Sequence, residues 1–150
     1  MAKRTSLREA ACPIARSMEA IGDCWSMLII RDAMLGKKRF GEFQKSLGVA
    51  KNILAMRLRA LVDDGLLAVA PAPDGSAYQD YVLTDKGRAV FPIMVALQQW
   101  AEDYAFKPGE DTTVIVDRDT GQRIRRLELH AADGRLLRYS DTTIKPAIAS

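Results

Sequence analysis

One histidine and two cysteines in 150 residues leave this chain short of the side chains that most often bind transition metals or serve as nucleophile and base. His130 has no cysteine, serine or carboxylate at a known catalytic spacing to it. Cys12 and Cys24 lie twelve residues apart, which is neither a CxxC pair nor a disulfide framework, and a single histidine with no cysteine near it excludes a zinc ribbon at the C-terminal end. No glycine-rich phosphate loop and no dinucleotide glycine pattern occur. Catalytic residues, metal ligands and cofactors are therefore not expected. Long apolar runs are also missing. Stretches such as residues 27–30 are far too short to span a bilayer, so no membrane partner is expected. MAKRTSLREA at the start carries basic residues with no apolar segment behind them. It does not read as a secretory signal, and the cytoplasm is the default compartment. No internal repeat or low-complexity tract is visible.

What the chain does have is charge of one sign gathered in one place. Its composition, 48% hydrophobic and 27% charged, is that of a soluble globular chain with one domain or one domain and an appendage. The net charge of +3 and the pI near 9.0 are mild. Between residues 37 and 59, however, seven basic residues (Lys37, Lys38, Arg39, Lys45, Lys51, Arg57, Arg59) stand against one acid, Glu42. Between residues 63 and 103 seven acids stand against Lys86 and Arg88 alone. The basic stretch includes AKNILAMRLRALVDDG, residues 50–65, where Leu54, Leu58, Leu61 and Val62 follow the spacing of a helix lying on a core and Gly65 stops it. The opposite face carries Asn52, Met56, Arg59 and Asp63, with Ala55 on its flank and Lys51 in the first turn. A helix fits the major groove, where arginine, lysine and asparagine reach phosphates and base edges. Residues 50–64 thus read as a DNA recognition helix. The plain alternative is an ordinary amphipathic helix with a solvated face. A face used only for protein contacts would be apolar, and here only Met56 is.

In chain order, residues 1–10 form a polar arm with Lys3, Arg4 and Arg8. Pro13 suits the first position of a helix, with Cys12 as N-cap and Gly22 as its end. Asp23 caps the next helix, whose expected buried side is Trp25, Leu28, Ile29, Asp32 and Leu35. A basic loop leads into a short helix on Phe40, Phe43 and Leu47, and Gly48–Val49 turns into the recognition helix, a helix-turn-helix arrangement. Ala50 is a poor N-cap, so the first turn stays open for phosphate. Strands on either side of Asp74–Gly75, within residues 66–83, make a wing. Thr84 caps another helix, and Pro92 kinks it or begins a new one. Beyond it Ile93, Leu97, Trp100 and Tyr104, with Met94 and Ala101, form an apolar stripe whose natural use is burial against a second copy. Residues 113–117, 123–130 and 136–139 read as three short strands of a β-rich extension.

These pieces together resemble the HxlR family of bacterial winged-helix regulators, within the wider MarR-like group. The resemblance rests on Cys12-Pro13, Gly22-Asp23 before Trp25, RFGEF at residues 39–43, LAMRL at 54–58, Leu61, Gly65-Leu66, YVLTDKG at 81–87 and Trp100. The expected class is α+β: a mainly α winged helix-turn-helix with a two-stranded wing and dimerising terminal helices over residues 10–106, then a small β appendage over 107–150. The resemblance implies a homodimeric regulator, a repressor by expectation, with recognition helices in the major groove and wings straddling the minor groove of a pseudo-palindromic operator. Its candidate contacts to double-stranded DNA are Lys37, Lys38, Arg39, Lys45, Lys51, Asn52, Ala55, Met56, Arg59, Ser76 and Tyr78. Ile93, Leu97, Trp100 and Tyr104 are the candidate dimer contacts. Some members respond to oxidants or electrophiles through a cysteine in the position of Cys12, which makes it a candidate redox sensor, with Arg8 and Arg16 near enough in sequence to favour its thiolate. Cys12 as a packing residue, a small-molecule effector in place of a cysteine switch, and a protein-interaction module without sequence-specific DNA binding stay open as alternatives. Ala50 at the expected cap and the appendage after Lys107 depart from the family pattern.

Overall fold

The computed structural model describes residues 5–146; Lys3 and Arg4 of the expected arm lie outside them. Two compact units divide between Pro92 and Ile93. In the first, α1 (Pro13–Ile21) starts on Pro13 behind Cys12, whose side chain makes no capping bond. Next comes α2 (Cys24–Met34), where Asp23 Oδ1 accepts from the backbone N–H of Trp25 at 2.7 Å and of Ser26 at 3.1 Å. This satisfies two of the donors that a helix start leaves orphaned. The short α3 (Phe40–Leu47) ends at Gly48, whose φ of 63° is the left-handed turn conformation that glycine adopts without strain. After it α4 (Lys51–Asp63) begins at Ala50 with no side-chain cap.

The core of this unit is Ile29, Ile30, Phe43, Leu54, Leu58, Leu61, Leu66 and Leu67, each no more than 2% exposed. At roughly 1.5–3 kcal/mol per buried side chain of this size, these residues hold α2, α3 and α4 together. The expected buried side of α2 needs correction. Ser26, Ile29, Ile30 and Asp32 are buried, Trp25 and Leu28 only half so, and Leu35 is 71% exposed. α2 packs against α1, α3, α4 and the wing, so it is covered on more than one side, while Leu35 already lies past its last turn.

The wing is an antiparallel pair, β1 (Leu67–Pro71) and β2 (Gln79–Leu83), with Leu67 opposite Leu83 and Pro71 opposite Gln79. One more backbone bond, from Tyr81 N–H to Lys38 C=O at 2.7 Å, ties β2 to the loop before α3, and the Phe43 ring meets Tyr81 edge-on at 6.5 Å. Thr84 both caps α5 (Asp85–Arg88), accepting from Gly87 N–H, and donates its hydroxyl to Gly65 C=O at 2.5 Å. A side chain at position 87 would place its Cβ 2.1 Å from Leu66 C=O, which explains the glycine of the LTDKG segment.

A new helix, α6 (Phe91–Tyr104), follows with Pro92 in its first turn, where a missing N–H costs nothing. In the second unit Ile93, Leu97, Trp100 and Tyr104 are 43%, 50%, 62% and 74% exposed, and the Trp100 and Tyr104 rings lie 5.7 Å apart. The three strands expected after residue 106 reduce to two isolated antiparallel bridges, Val116 with Arg123 and His130 with Leu136, and Tyr139–Asp141 is a 3-10 turn. Gln99 takes up part of the backbone that the His130–Leu136 pair would need to extend: its Nε2 donates to Arg125 C=O at 3.1 Å and its Oε1 accepts from Leu127 N–H at 2.8 Å. Gln98 reaches Thr113 C=O at 2.7 Å, and Glu102 pairs with Arg123 at 3.0 Å. Polar hooks hold this extension to α6, because none of its described residues is buried. No helix among the described residues is long and apolar enough to cross a membrane.

Candidate nucleic-acid interface

Helix α4 buries Leu54, Leu58 and Leu61 and leaves Lys51, Asn52, Ala55, Met56, Arg59 and Asp63 exposed, as the 3.6-residue period requires. Met56 is 55% exposed. With Ala50 lacking a capping side chain, the first-turn N–H groups stand open beside Lys51 at the positive end of the helix dipole. Lys45 on α3 and Lys38 in the loop before it are exposed, and Lys37 is half-buried. Among the described residues Lys37, Lys38, Lys45, Lys51 and Arg59 form no ion pair with any carboxylate. The one acid of the stretch, Glu42, is exposed, but its carboxylate is engaged by the backbone before α3. Its Oε2 accepts from the backbone N–H of Lys38 at 2.8 Å and of Arg39 at 2.9 Å. Those two bonds hold its carboxyl below the ordinary range. The cap is one-sided, since a guanidinium accepts nothing in return.

Two of the seven basic residues are used inside the protein. Arg57 is half-buried, and its Nε lies 2.8 Å from Asp23 Oδ2. The N–H does not point at that oxygen, so the contact is an ion pair and not a hydrogen bond. Position 57 flanks the buried Leu58, and its helical angle is what kept it off the outward face and out of the expected DNA contacts, where Arg59 stands. Arg39, expected to meet DNA, is bound into the wing. Its Nη2 donates to Asp74 Oδ2 at 2.5 Å, its Nε is 3.5 Å from Asp80 Oδ1, and its guanidinium lies 5.7 Å over the Tyr78 ring. Two carboxylates compete for it before any phosphate arrives. The Arg39 hydrogen bond, with the Ser76 N–H behind it, holds the Asp74 carboxyl far below the carboxylate range.

The tip of the wing presents Tyr78, which is 69% exposed, whereas the Ser76 hydroxyl oxygen is buried. The Ser76 N–H already donates to Asp74 Oδ1 at 3.0 Å, so Ser76, an expected contact, offers no free donor to phosphate. The Arg8–Asp64 pair at 2.8 Å, which fastens the segment before α1 to the end of α4, had no signal in the sequence. Cys12 is exposed at the N-cap of α1, and Cys24 is exposed too, so burial does not set the two thiols apart. The basic neighbours expected to favour the Cys12 thiolate are directed elsewhere. Arg8 goes to Asp64, and Arg16 Nε donates to Ala10 C=O at 2.6 Å.

Comparison with known proteins agrees with this geometry. Residues 20–108 match the HxlR-like helix-turn-helix family. An uncharacterized HTH-type transcriptional regulator of Mycobacterium tuberculosis is 37% identical over 95 residues, which are 63% of this chain and 60% of that protein, so the match spans under two thirds of the relative's length. The crystal structure of PA1607, described as a transcription factor, superposes with a TM-score of 0.91 at 55% identity over 95% of this chain and 100% of its own. The redox regulator HypR in its reduced form has a TM-score of 0.58 at 27% identity over 63% of this chain and 94% of its own. PA1607 therefore matches the C-terminal extension as well, whereas HypR, nearly all of which is matched, covers less than two thirds of the chain. These relatives are transcription regulators and not enzymes. By its winged helix-turn-helix and its match over more than half its length, the chain belongs to the HxlR-like helix-turn-helix family.

Proposed function

We propose that this protein is a DNA-binding transcriptional regulator, a repressor, that acts in the cytoplasm as a homodimer on a pseudo-palindromic operator. α4 enters the major groove and the wing lies along the flanking backbone. The observation that carries the reading is the face of α4: Lys51, Asn52 and Arg59 are exposed together beside an uncapped helix start. Lys37, Lys38 and Lys45 extend the same positive field, with no carboxylate neutralising them among the described residues. Asn52 and Arg59 read bases, the lysines bind phosphate, and Ala55 and Met56 supply apolar contact in the groove. The exposed Ile93, Leu97, Trp100 and Tyr104 of α6 support a dimer, since one subunit leaves that stripe uncovered.

The input to the regulator is oxidation at Cys12 on this reading. The exposed thiol at the start of α1 and the likeness to HypR, a redox regulator, support it. A two-electron oxidant that takes the thiol protons and two electrons from Cys12 and its counterpart in the second copy, or from Cys12 and a small thiol, would form a disulfide that pulls on α1 and changes the spacing of the two α4 helices. A small-molecule effector remains the rival input.

The test of DNA binding is to enrich duplexes from a randomised library with the purified protein and to measure affinity against salt. The enriched duplex should be a pseudo-palindrome with half-site centres about one helical turn, or a small multiple, apart. Log affinity should fall by about 0.9 per neutralised phosphate for each decade of salt. Lys38→Ala and Lys45→Ala should each reduce that slope and weaken specific and non-specific binding alike. Salt-independent affinity would overturn the reading.

A further inference from the structure

Charge alone gives the wing the wrong sign for its place. Between β1 and β2 the tip reads APDGSAY, and Asp74 is its only charged residue. An acid carried to a DNA backbone repels it. Yet this acid is held by two sets of bonds. Its Oδ1 accepts from Ser76 N–H at 3.0 Å, forming the turn itself, and its Oδ2 accepts from Arg39. Arg39 stands one residue before α3, so a single side chain spans from the helix-turn-helix to the far end of the hairpin.

Within the hairpin, Ala72 is buried, its N–H donates to Tyr78 C=O at 3.3 Å and its C=O accepts from Gly75 N–H at 3.1 Å. From outside the hairpin, Arg39 alone among the described residues makes an ion pair or hydrogen bond to the tip. The groove between the start of α3 and the outer part of the wing, walled by Phe40, Glu42, Lys45, Tyr78 and Gln79, encloses about 740 Å³ of open space. Phe43 and the Lys38–Tyr81 backbone bond fix only the inner part of β2. Further out, the Arg39 guanidinium meets the buried Asp80, the Tyr78 ring and Asp74 in succession. A planar group with several donors can serve all three at once, and a lysine ammonium cannot.

We propose that Arg39 is the positioning residue of the wing, bridging Asp80, Tyr78 and Asp74 so that the tip is set against DNA before binding, and that it is not a phosphate contact. The proposal rests on the reading that the wing lies on duplex DNA. On it, Asp74 serves DNA binding despite its charge, since it is the far anchor of the bridge. A tip ordered beforehand spares the protein the loss of loop freedom at the moment of binding.

The experiment compares Asp74→Asn, Arg39→Ala, Arg39→Lys and the Asp74→Asn/Arg39→Ala pair on the full chain, with the duplex enriched by wild type as probe. In Asp74→Asn the side-chain oxygen still accepts from Ser76 N–H, so the turn is kept, while the amide NH₂ faces the guanidinium and breaks the bridge. If Arg39 positions the wing, each single variant lowers affinity on the order of ten-fold, and the double variant is no worse than the weaker single one. The salt slope stays at its wild-type value. Hydroxyl-radical protection is lost only at the flanks beneath the wing and persists at the half-site centres. Arg39→Lys, which keeps the charge, behaves as Arg39→Ala. Binding by Asp74→Asn as tight as wild type or tighter overturns the proposal, as does a salt slope reduced by about 0.9 in Arg39→Ala. If wild type enriches no duplex, the regulator reading and this proposal fall together; if it does and Asp74→Asn binds normally, only the proposal falls.

Discussion

Asp23 is asked to do two things with one carboxylate, and substitution can separate them. Oδ1 caps α2, while Oδ2 faces Arg57 of the recognition helix. The cap is worth about 1 kcal/mol, within a range of roughly 0.5–2. The two side chains are 19% and 36% exposed, but the facing atoms are covered and the N–H is misaligned, so desolvation and poor geometry offset the attraction and hold the pair to about 1 kcal/mol or less. Asp23→Ala loses both, a destabilisation of about 1–3 kcal/mol. Asp23→Asn keeps an equally good cap and loses only the pair, about 0–1 kcal/mol. Arg57→Ala should cost at least as much as Asp23→Asn, because it leaves the charged Oδ2, a buried oxygen that accepts no hydrogen bond, without its counter-charge. Urea unfolding followed by Trp25 fluorescence in a Trp100→Phe background reports on the first unit alone. Asp23→Asn costing as much as Asp23→Ala would show that charge, not capping, governs the start of α2. A DNA salt slope lowered by about 0.9 in Arg57→Ala would mean that Arg57 faces phosphate and not Asp23.

Arg59→Ala and Asn52→Ala should each reduce preference for the enriched duplex over random DNA by about 1–3 kcal/mol, and competition binding with intact preference in both would mean that the helix faces elsewhere. Because the folded-state pKa of Glu42 is lowered by the two backbone bonds it accepts, its capping contribution is present at neutral pH and lost as pH falls through and below about 4. The thermal stability gap between wild type and Glu42→Gln should accordingly close in acid, and a gap that widened there would contradict the cap. Diamide should change the duplex affinity of wild type and produce a linked dimer or a mixed disulfide on a non-reducing gel, with Cys12→Ser unaffected. Unchanged affinity of the oxidised wild type would leave Cys12 a packing residue and transfer sensing to a ligand.

Much of the fold was legible because it depends on short-range rules. Pro13 and Gly22 bound α1, Asp23 and Thr84 cap the helices that follow them, and Gly48 makes the turn before α4. The period of Leu54, Leu58 and Leu61 assigns the outer face of α4 without any knowledge of its neighbours, and the asymmetry of charge between residues 37–59 and 63–103 is a property of the string itself. The extension was the weak point. Alternating apolar residues there suggested three strands, but alternation does not reveal whether a partner strand exists. At Arg125 and Leu127 the partner is the side-chain amide of Gln99, from more than twenty residues away.

By itself, then, the sequence determined the elements, their order, the inward and outward faces of α4 and the family pattern, all of which follow from spacing along one chain. Only the tertiary structure decided which charges are free. Lys37, Lys38, Arg39, Arg57 and Arg59 look alike in a list of basic residues, yet Arg57 meets Asp23 across 34 positions and Arg39 meets Asp74 across 35. An ion pair depends on distance in space, and folding brings those carboxylates within a few ångströms of the two guanidiniums while leaving Arg59 in water.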